Sequence, residues 1–218
     1  MPIIEVEQQA GTAVVRMTNG KNAVDDDFLT SFEQALDTVE ASDWAQILVT
    51  TGTEKHYCNG WDLDFLLGLA PEGRAAIRTR SRRLLARLLT FPLPTAAAIN
   101  GHAFGLGAFL ALAQDHRVMR ADRGWFCLPE VDLGMRLHPF MIRLIHCRLP
   151  ATTAHESVLA GRRYAAAAAL EAGIVDAAAS LDALMPAAVE RCGAYVGKDR
   201  EMLAGLKQDL YAEVLAAV

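Results

Sequence analysis

The sequence is short of the features that mark whole classes of protein. It has no run of about 18 apolar residues, the least that a membrane-spanning helix needs, so no span is expected. Its first residues, Met1-Pro2-Ile3-Ile4-Glu5, lack the basic stretch and apolar core of a secretory leader, and none is expected. Cysteines number four, at positions 58, 127, 147 and 192, and none stands in a CxxC pair. Neither a zinc site nor a disulfide framework has that spacing. The expectation is a reduced, cytoplasmic protein without a metal site, its thiols filling small spaces in the core. Positive charge is also scarce: 21 Lys and Arg against 26 Asp and Glu leave a formal net charge of −5. A general nucleic-acid footprint needs the opposite balance. GxSxG, HExxH and Walker-type loops are absent.

What remains is an ordinary globular composition, 52% hydrophobic and 22% charged over 218 residues, which suffices for one large core. Residues 3–9 and 12–18 alternate apolar with polar around Ala10-Gly11 and predict a β-hairpin. A helix is predicted over about 25–41. Phe28, Leu29, Phe32, Leu36 and Val39 share its apolar face, and three aspartates crowd its positive end. A short buried strand over 46–50, a polar loop over 51–59 and a helix from near Asp62 follow. A long helix over 72–89 ends before Pro92 and Pro94. Then come a small-residue strand over 95–99, a glycine-rich turn over 101–107, a helix over 108–114 and short strands over 117–119 and 125–127. From about Pro139 onward the pattern is almost wholly helical. Strands alternating with helices predict an α/β core. Arg74, Arg78, Arg80, Arg82, Arg83 and Arg87 share the long helix. They read as a solvated face opposite its leucines, with a phosphate-binding face as the alternative.

Three segments carry residues suited to chemistry. The turn Gly101-His-Ala-Phe-Gly105-Leu-Gly107 joins a strand to a helix, an arrangement that exposes backbone N–H groups to an anion or a developing oxyanion. Tyr57-Cys-Asn-Gly-Trp-Asp-Leu63 is a second turn of this kind. Together they are able to aim two N–H donors at one carbonyl oxygen. Glu130, in Leu128-Pro-Glu-Val-Asp-Leu-Gly134, follows an apolar strand. Taken alone it fits an ordinary loop acid; buried among apolar side chains it becomes a base of raised pKa. Asp132 reads as a surface or capping acid, His102 as a structural hydrogen-bonding group, and Cys58 as core filling without a histidine partner.

In order and spacing, these segments resemble the crotonase superfamily, the enoyl-CoA hydratases and isomerases, over nearly the whole chain. Tyr57 to Leu63 resembles the first oxyanion segment of that family. Pro94-Thr-Ala-Ala-Ala-Ile-Asn-Gly-His-Ala-Phe-Gly-Leu-Gly107 resembles the second. Pro129-Glu130 with Leu133-Gly134 resembles the third, and Leu159-Ala-Gly-Arg-Arg163 with Glu171-Ala-Gly-Ile-Val-Asp176 a later stretch. The resemblance implies an α/β spiral of ββα units over residues 1–150. A C-terminal helical region, 151–218, would serve packing and oligomerisation as a homotrimer or homohexamer within one functional unit. It implies a coenzyme A thioester as substrate, with no further cofactor and no nucleic-acid or membrane partner.

By position, the oxyanion donors are the backbone N–H groups of Trp61 and Leu106, the latter standing where the family usually has glycine. Lys21, Ala23, Gly60, Asp62 and Leu63 fall where the family holds coenzyme A; Lys21 also fits a free surface lysine. The hydratases use two glutamates. The second corresponds to Glu130, and the first to Phe109, which is unable to activate water. One carboxylate in an apolar pocket suits an isomerase that moves a double bond from C3 to C2 of an enoyl-CoA. The short plant-type 3-enoyl-CoA isomerases carry the most similar run around Glu130-Val-Asp-Leu133 and Pro139-Phe-Met141. Hydratase or other crotonase chemistry, and a non-catalytic acyl-CoA-binding protein, are the alternatives. His138 is expected at the edge of the acyl pocket.

Overall fold

A computed structural model describes residues 2–218. Strands β1 (Ile4–Gln9) and β2 (Thr12–Met17) form the hairpin, turned by Ala10-Gly11, and α1 (Asp26–Glu40) follows. Three strand–strand–helix turns come next. The first is β3 (Ile47–Thr51), β4 (His56–Cys58), α2 (Leu63–Gly68) and α3 (Pro71–Leu89). The second is β5 (Thr95–Ile99), β6 (His102–Phe104) and α4 (Leu106–Leu112). The third is β7 (His116–Arg120), β8 (Phe126–Cys127), a 3-10 turn at Pro129–Val131 and α5 (Pro139–Arg148). The chain closes with α6 (Ala151–Ala160), α7 (Ala166–Glu171), β9 (Ala177–Ala179), α8 (Leu181–Cys192), α9 (Arg200–Leu210) and α10 (Ala212–Leu215). Among the described residues no helix is long and apolar enough to cross a membrane.

The first strand of each turn joins one sheet and the second joins another. The larger sheet has the order β1-β2-β3-β5-β7-β9, parallel except for the hairpin; the smaller has the order β4-β6-β8, all parallel. This is the ββα spiral that the sequence resemblance implies. Parallel strands buried on both faces carry unbroken apolar runs, and β3 and β5 are buried throughout. One face of the large sheet meets the main core, where α1 contributes Phe28, Leu29, Phe32, Leu36 and Val39, and α3 contributes Leu84, Leu85, Leu88 and Leu89. Ile47, Val49, Ala96, Ala98 and Val118 on the other face are covered by Leu184, Ala188 and Cys192 of α8.

Local chemistry sets the helix starts. The Asp25 carboxylate accepts from Phe28 N at 2.7 Å, and the Asp62 carboxylate from Phe65 N at 3.0 Å, each satisfying a donor that the first helical turn leaves free. Three strands depart from the sequence reading. β4 lies inside the stretch read as polar loop, and β6 inside the glycine-rich turn. β9 interrupts the region read as wholly helical, because Ala177–Ala179 pairs with the open edge of β7. Residues 151–218 therefore contribute to the large sheet as well as covering it.

Candidate active site

The small sheet brings the three suspected segments together. Its strands are parallel neighbours, in register at Cys58↔Ala103, Ala103↔Phe126 and Phe104↔Cys127. Their C-terminal ends thus lie side by side. Gly60-Trp61 follows the first, Gly105-Leu106 the second and Pro129-Glu130 the third. Ligands in α/β proteins bind at such strand ends, where chains diverge and backbone groups are left free. A cavity of about 890 Å³ opens there, and all of Lys21, Ala23, Gly60, Trp61, Asp62, Leu63, Leu106, Phe109 and Glu130 line it.

Close backbone packing holds the first two segments. Gly60 has φ +79°, and a Cβ on it would lie 2.7 Å from the Phe104 carbonyl oxygen and 3.3 Å from the Leu106 nitrogen. Only glycine accepts both the positive φ and the contact. Gly105, at φ 49°, takes the positive φ of the second turn, so Leu106 begins α4 without one. A leucine in place of the usual glycine is thereby accommodated. Among the described residues, neither Trp61 N–H nor Leu106 N–H donates a hydrogen bond. Unpaired backbone donors beside a cavity are rare enough to mark a place for an acceptor.

The loop bearing Lys21 and Ala23 is pinned to the first segment. Asn59 N donates to Lys21 O (3.1 Å), Val24 N to Gly60 O (2.7 Å) and Asp62 N to Val24 O (3.0 Å). Asn22 fixes the loop further, its amide donating to the carbonyls of Tyr57 (2.9 Å) and His56 (3.2 Å). Asp62 faces the cavity while its carboxylate caps α2.

Glu130 sits on the 3-10 turn after β8, where Met135 N donates to its carbonyl at 2.9 Å. Its Oε2 is buried without a hydrogen-bond partner. Its Oε1 lies 3.6 Å from the position of a Cβ on Gly105, so the carboxyl group stands against the second turn. Burial pushes its pKa above the ordinary carboxylate value. A carboxyl group held in this way keeps a proton more readily than one in water and gives a better base when ionised. Phe109, only 1% exposed, fills the adjoining wall with an aromatic ring.

The remaining candidates separate cleanly. Cys58 is fully buried, its Sγ donates to Asn22 O at 3.0 Å, and burial pushes its thiol up to about 12, so it is no nucleophile. Asp132 is exposed, as its surface reading requires. The structural hydrogen bond expected of His102 is not made at Nδ1, which is buried and unpartnered. Aromatic neighbours hold that ring instead: centroids lie 5.1 Å away in Trp125, 5.3 Å in Phe104 and 5.4 Å in His56. His138 does edge the cavity, and its Nδ1 accepts from Phe140 N at the start of α5.

Sequence reasoning did not assign Arg78, Arg82 or Arg136 to the site, yet all three line the cavity. The arginine-rich helix is in fact divided. Arg80 pairs with Asp26 and Glu33, and Arg87 with Asp37 and Glu40, all on α1. Arg78 and Arg82, one turn apart on another face of α3, turn toward the cavity. The four-residue spacing was legible; which arginines α1 would neutralise was not.

Fold and site thus define a crotonase-type protein: a ββα spiral with two free N–H donors and a buried carboxyl group around one cavity. The family model for enoyl-CoA hydratase/isomerase matches residues 7–217, and the chain belongs to that family. It is 34% identical to the peroxisomal enoyl-CoA delta isomerase 2 of Arabidopsis thaliana over 179 residues, 77% of this chain and 74% of the relative. It is 35% identical to the carnitinyl-CoA dehydratase of Citrobacter koseri over 162 residues, 74% of this chain and 61% of the relative. Among solved structures, an enoyl-CoA isomerase of Mycobacterium tuberculosis superposes with a TM-score of 0.89 at 27% identity, covering 99% of this chain and 94% of its own.

Proposed function

We propose that the protein is an enoyl-CoA isomerase that moves a C3 double bond to C2. The observation that carries this reading is one half-buried carboxyl group, Glu130, whose Oε2 is buried without a partner, lining the same cavity as two residues with unpartnered N–H groups; by the resemblance, Phe109 stands where the hydratases carry their other glutamate. Glu130 as carboxylate takes a proton from C2 of the 3-enoyl thioester. The C2–H electron pair becomes the C1–C2 double bond of an enolate, and charge moves to the thioester oxygen. Hydrogen bonds from Trp61 N–H and Leu106 N–H stabilise that oxygen more strongly than the neutral carbonyl. The enolate then collapses: an oxygen pair re-forms the thioester carbonyl, the C1–C2 pair forms the C2–C3 double bond, and the C3–C4 pair takes the proton from Glu130 at C4. Atoms and charge balance without a further cofactor. The ring of Phe109 supplies no second carboxylate to activate water.

The loop at Lys21 and Ala23, with Gly60, Asp62 and Leu63, is assigned to the coenzyme A portion of the substrate. The relatives include both delta isomerases and a dehydratase, so the product decides between isomerase and hydratase. Proton NMR of the protein with 3-hexenoyl-CoA in D₂O tests this: the conjugated 2-enoyl thioester is expected without a 3-hydroxyacyl product. Accumulation of the 3-hydroxyacyl thioester contradicts the isomerase reading. Binding without either product favours an acyl-CoA-binding protein. Self-association as a trimer or a pair of trimers belongs to the same proposal, with light scattering as its test. The reduced, cytoplasmic setting belongs to it too. All four cysteines are free, although the Arabidopsis delta isomerase 2 carries a peroxisomal name.

A further inference from the structure

Part of the cavity lining is cationic. Arg78 and Arg82 come from α3, and Arg136 and His138 from the segment leading into α5. Among the described residues none of the three arginines pairs with a carboxylate, whereas Arg80 and Arg87 of the same helix are each paired twice. Arg82 is the most telling. It is half-buried, its Nη2 donates only to the neutral Thr79 hydroxyl at 2.9 Å, and its Nε is buried with no acceptor at all. Leaving a charged donor buried and unpaired is unfavourable, and an arriving anion relieves it. His138 adds a polar group: since Nδ1 accepts from Phe140 N, a neutral ring carries its proton on Nε2. Burial and then the charge of Arg82 hold His138 below its ordinary pKa, which sets the two side chains within electrostatic reach. Leu133, Leu137 and Met141 line the same cavity and suit methylene groups.

We propose that this cluster is an anion subsite for the far end of the acyl group, so that the preferred substrates are enoyl-CoA thioesters ending in a carboxylate. The inference rests on the acyl-CoA reading above and adds the substrate class. Two sources of anion share this chemistry, an acyl carboxylate and the phosphates of coenzyme A. The carboxylate is favoured because the cluster comes from α3 and the segment before α5, whereas Lys21 and the Gly60–Leu63 stretch, assigned to coenzyme A, belong to other parts of the chain. The planar fork of a half-buried arginine also matches a planar carboxylate through paired hydrogen bonds.

Calorimetric titration of the full chain with adipyl-CoA and hexanoyl-CoA tests the subsite. These saturated thioesters have equal length and differ in carboxylate against methyl. No turnover is needed, so the result is independent of the isomerase proposal. Adipyl-CoA is expected to bind at least about tenfold tighter. The ratio is expected to fall to about one in Arg82→Gln and to an intermediate value in Arg82→Lys, which keeps charge but loses the fork. Should Arg82→Gln fail to fold, Arg78→Gln, at an exposed position, is expected to cut the ratio about threefold. Equal binding, or preference for hexanoyl-CoA, overturns the proposal. So does a variant that weakens both thioesters and free coenzyme A by one common factor, since the cluster then serves the phosphates. Binding of neither thioester overturns the acyl-CoA reading and the subsite with it.

Discussion

Gly60 and the Phe104 carbonyl oxygen pack so closely that a single added methyl carbon would lie 2.7 Å from that oxygen. This contact sets the spacing between the two cavity-lining segments that carry the unpaired Trp61 and Leu106 N–H groups. Gly60→Ala is therefore expected to push them apart as well as to strain a positive φ. The expected outcome is a fall in kcat of about 10², comparable to losing one oxyanion donor, with a lowered melting temperature. Steady-state kinetics with 3-hexenoyl-CoA and a thermal melt read both.

By the resemblance, Phe109 stands where the hydratases carry one of their two glutamates, and the proposed isomerase reading rests in part on it. Phe109→Glu restores the second carboxylate of the hydratases, and slow hydration of crotonyl-CoA is expected, seen as loss of the conjugated enoyl absorbance. Phe109→Gln, which has no base, is expected to give none. Both variants place a polar group where the ring is 1% exposed, so both melt lower than the parent.

The site was more legible than the small sheet that builds it. Glycine, acid and aromatic residues at fixed spacing marked the segments at 57–63, 94–107 and 129–134, because main-chain donors and tight turns demand particular residues. Two of the three short strands that carry those segments were not legible. His56–Cys58, His102–Phe104 and Phe126–Cys127 are two or three residues long, too short for an alternating pattern. Only the last of them was marked as strand. Ala177–Ala179 lay within the stretch read as almost wholly helical; alanine itself favours helix, and the open edge of β7 overrides that preference. The orphaned state of Arg82 was also beyond sequence, since it depends on where α1 carries Asp26, Glu33, Asp37 and Glu40.

Burial of Glu130 links activity to stability. Its pKa is raised in the folded chain, so the folded state binds the proton more tightly than the unfolded state does. Ionising it on going from acid to neutral pH therefore costs stability: the penalty is absent below the unfolded carboxyl pKa, grows above it and levels off beyond the raised folded value. Glu130→Gln is expected to melt higher than the parent at pH 7, with the difference shrinking as the pH falls from the raised value toward the ordinary glutamate range and gone below that range. Isomerisation, which needs the carboxylate, is expected to rise with pH through the raised value. Melting curves and kcat/KM across pH check the two signs.

Lys207 fastens α9 to the sheet. Its Nζ donates to Asp115 at 2.6 Å and to the carbonyls of Leu93 and Phe91 at 2.9 and 3.1 Å. Removing one partner of a buried pair leaves the other charge uncompensated. Lys207→Met is expected to lose about 3–5 kcal/mol of stability, measured by urea unfolding. Acyl-CoA binding by the fraction still folded is expected to persist, because neither Lys207 nor Asp115 lines the cavity.

Isomerisation by Glu130→Gln, followed with 3-hexenoyl-CoA alongside calorimetric binding of hexanoyl-CoA, tests the proposed mechanism most directly. The amide keeps the size of the side chain and removes the base. The predicted result is a fall in kcat of at least about 10³ with binding retained. Turnover within about tenfold of the parent, in a variant that binds hexanoyl-CoA equally well, contradicts the assignment of Glu130 as the base.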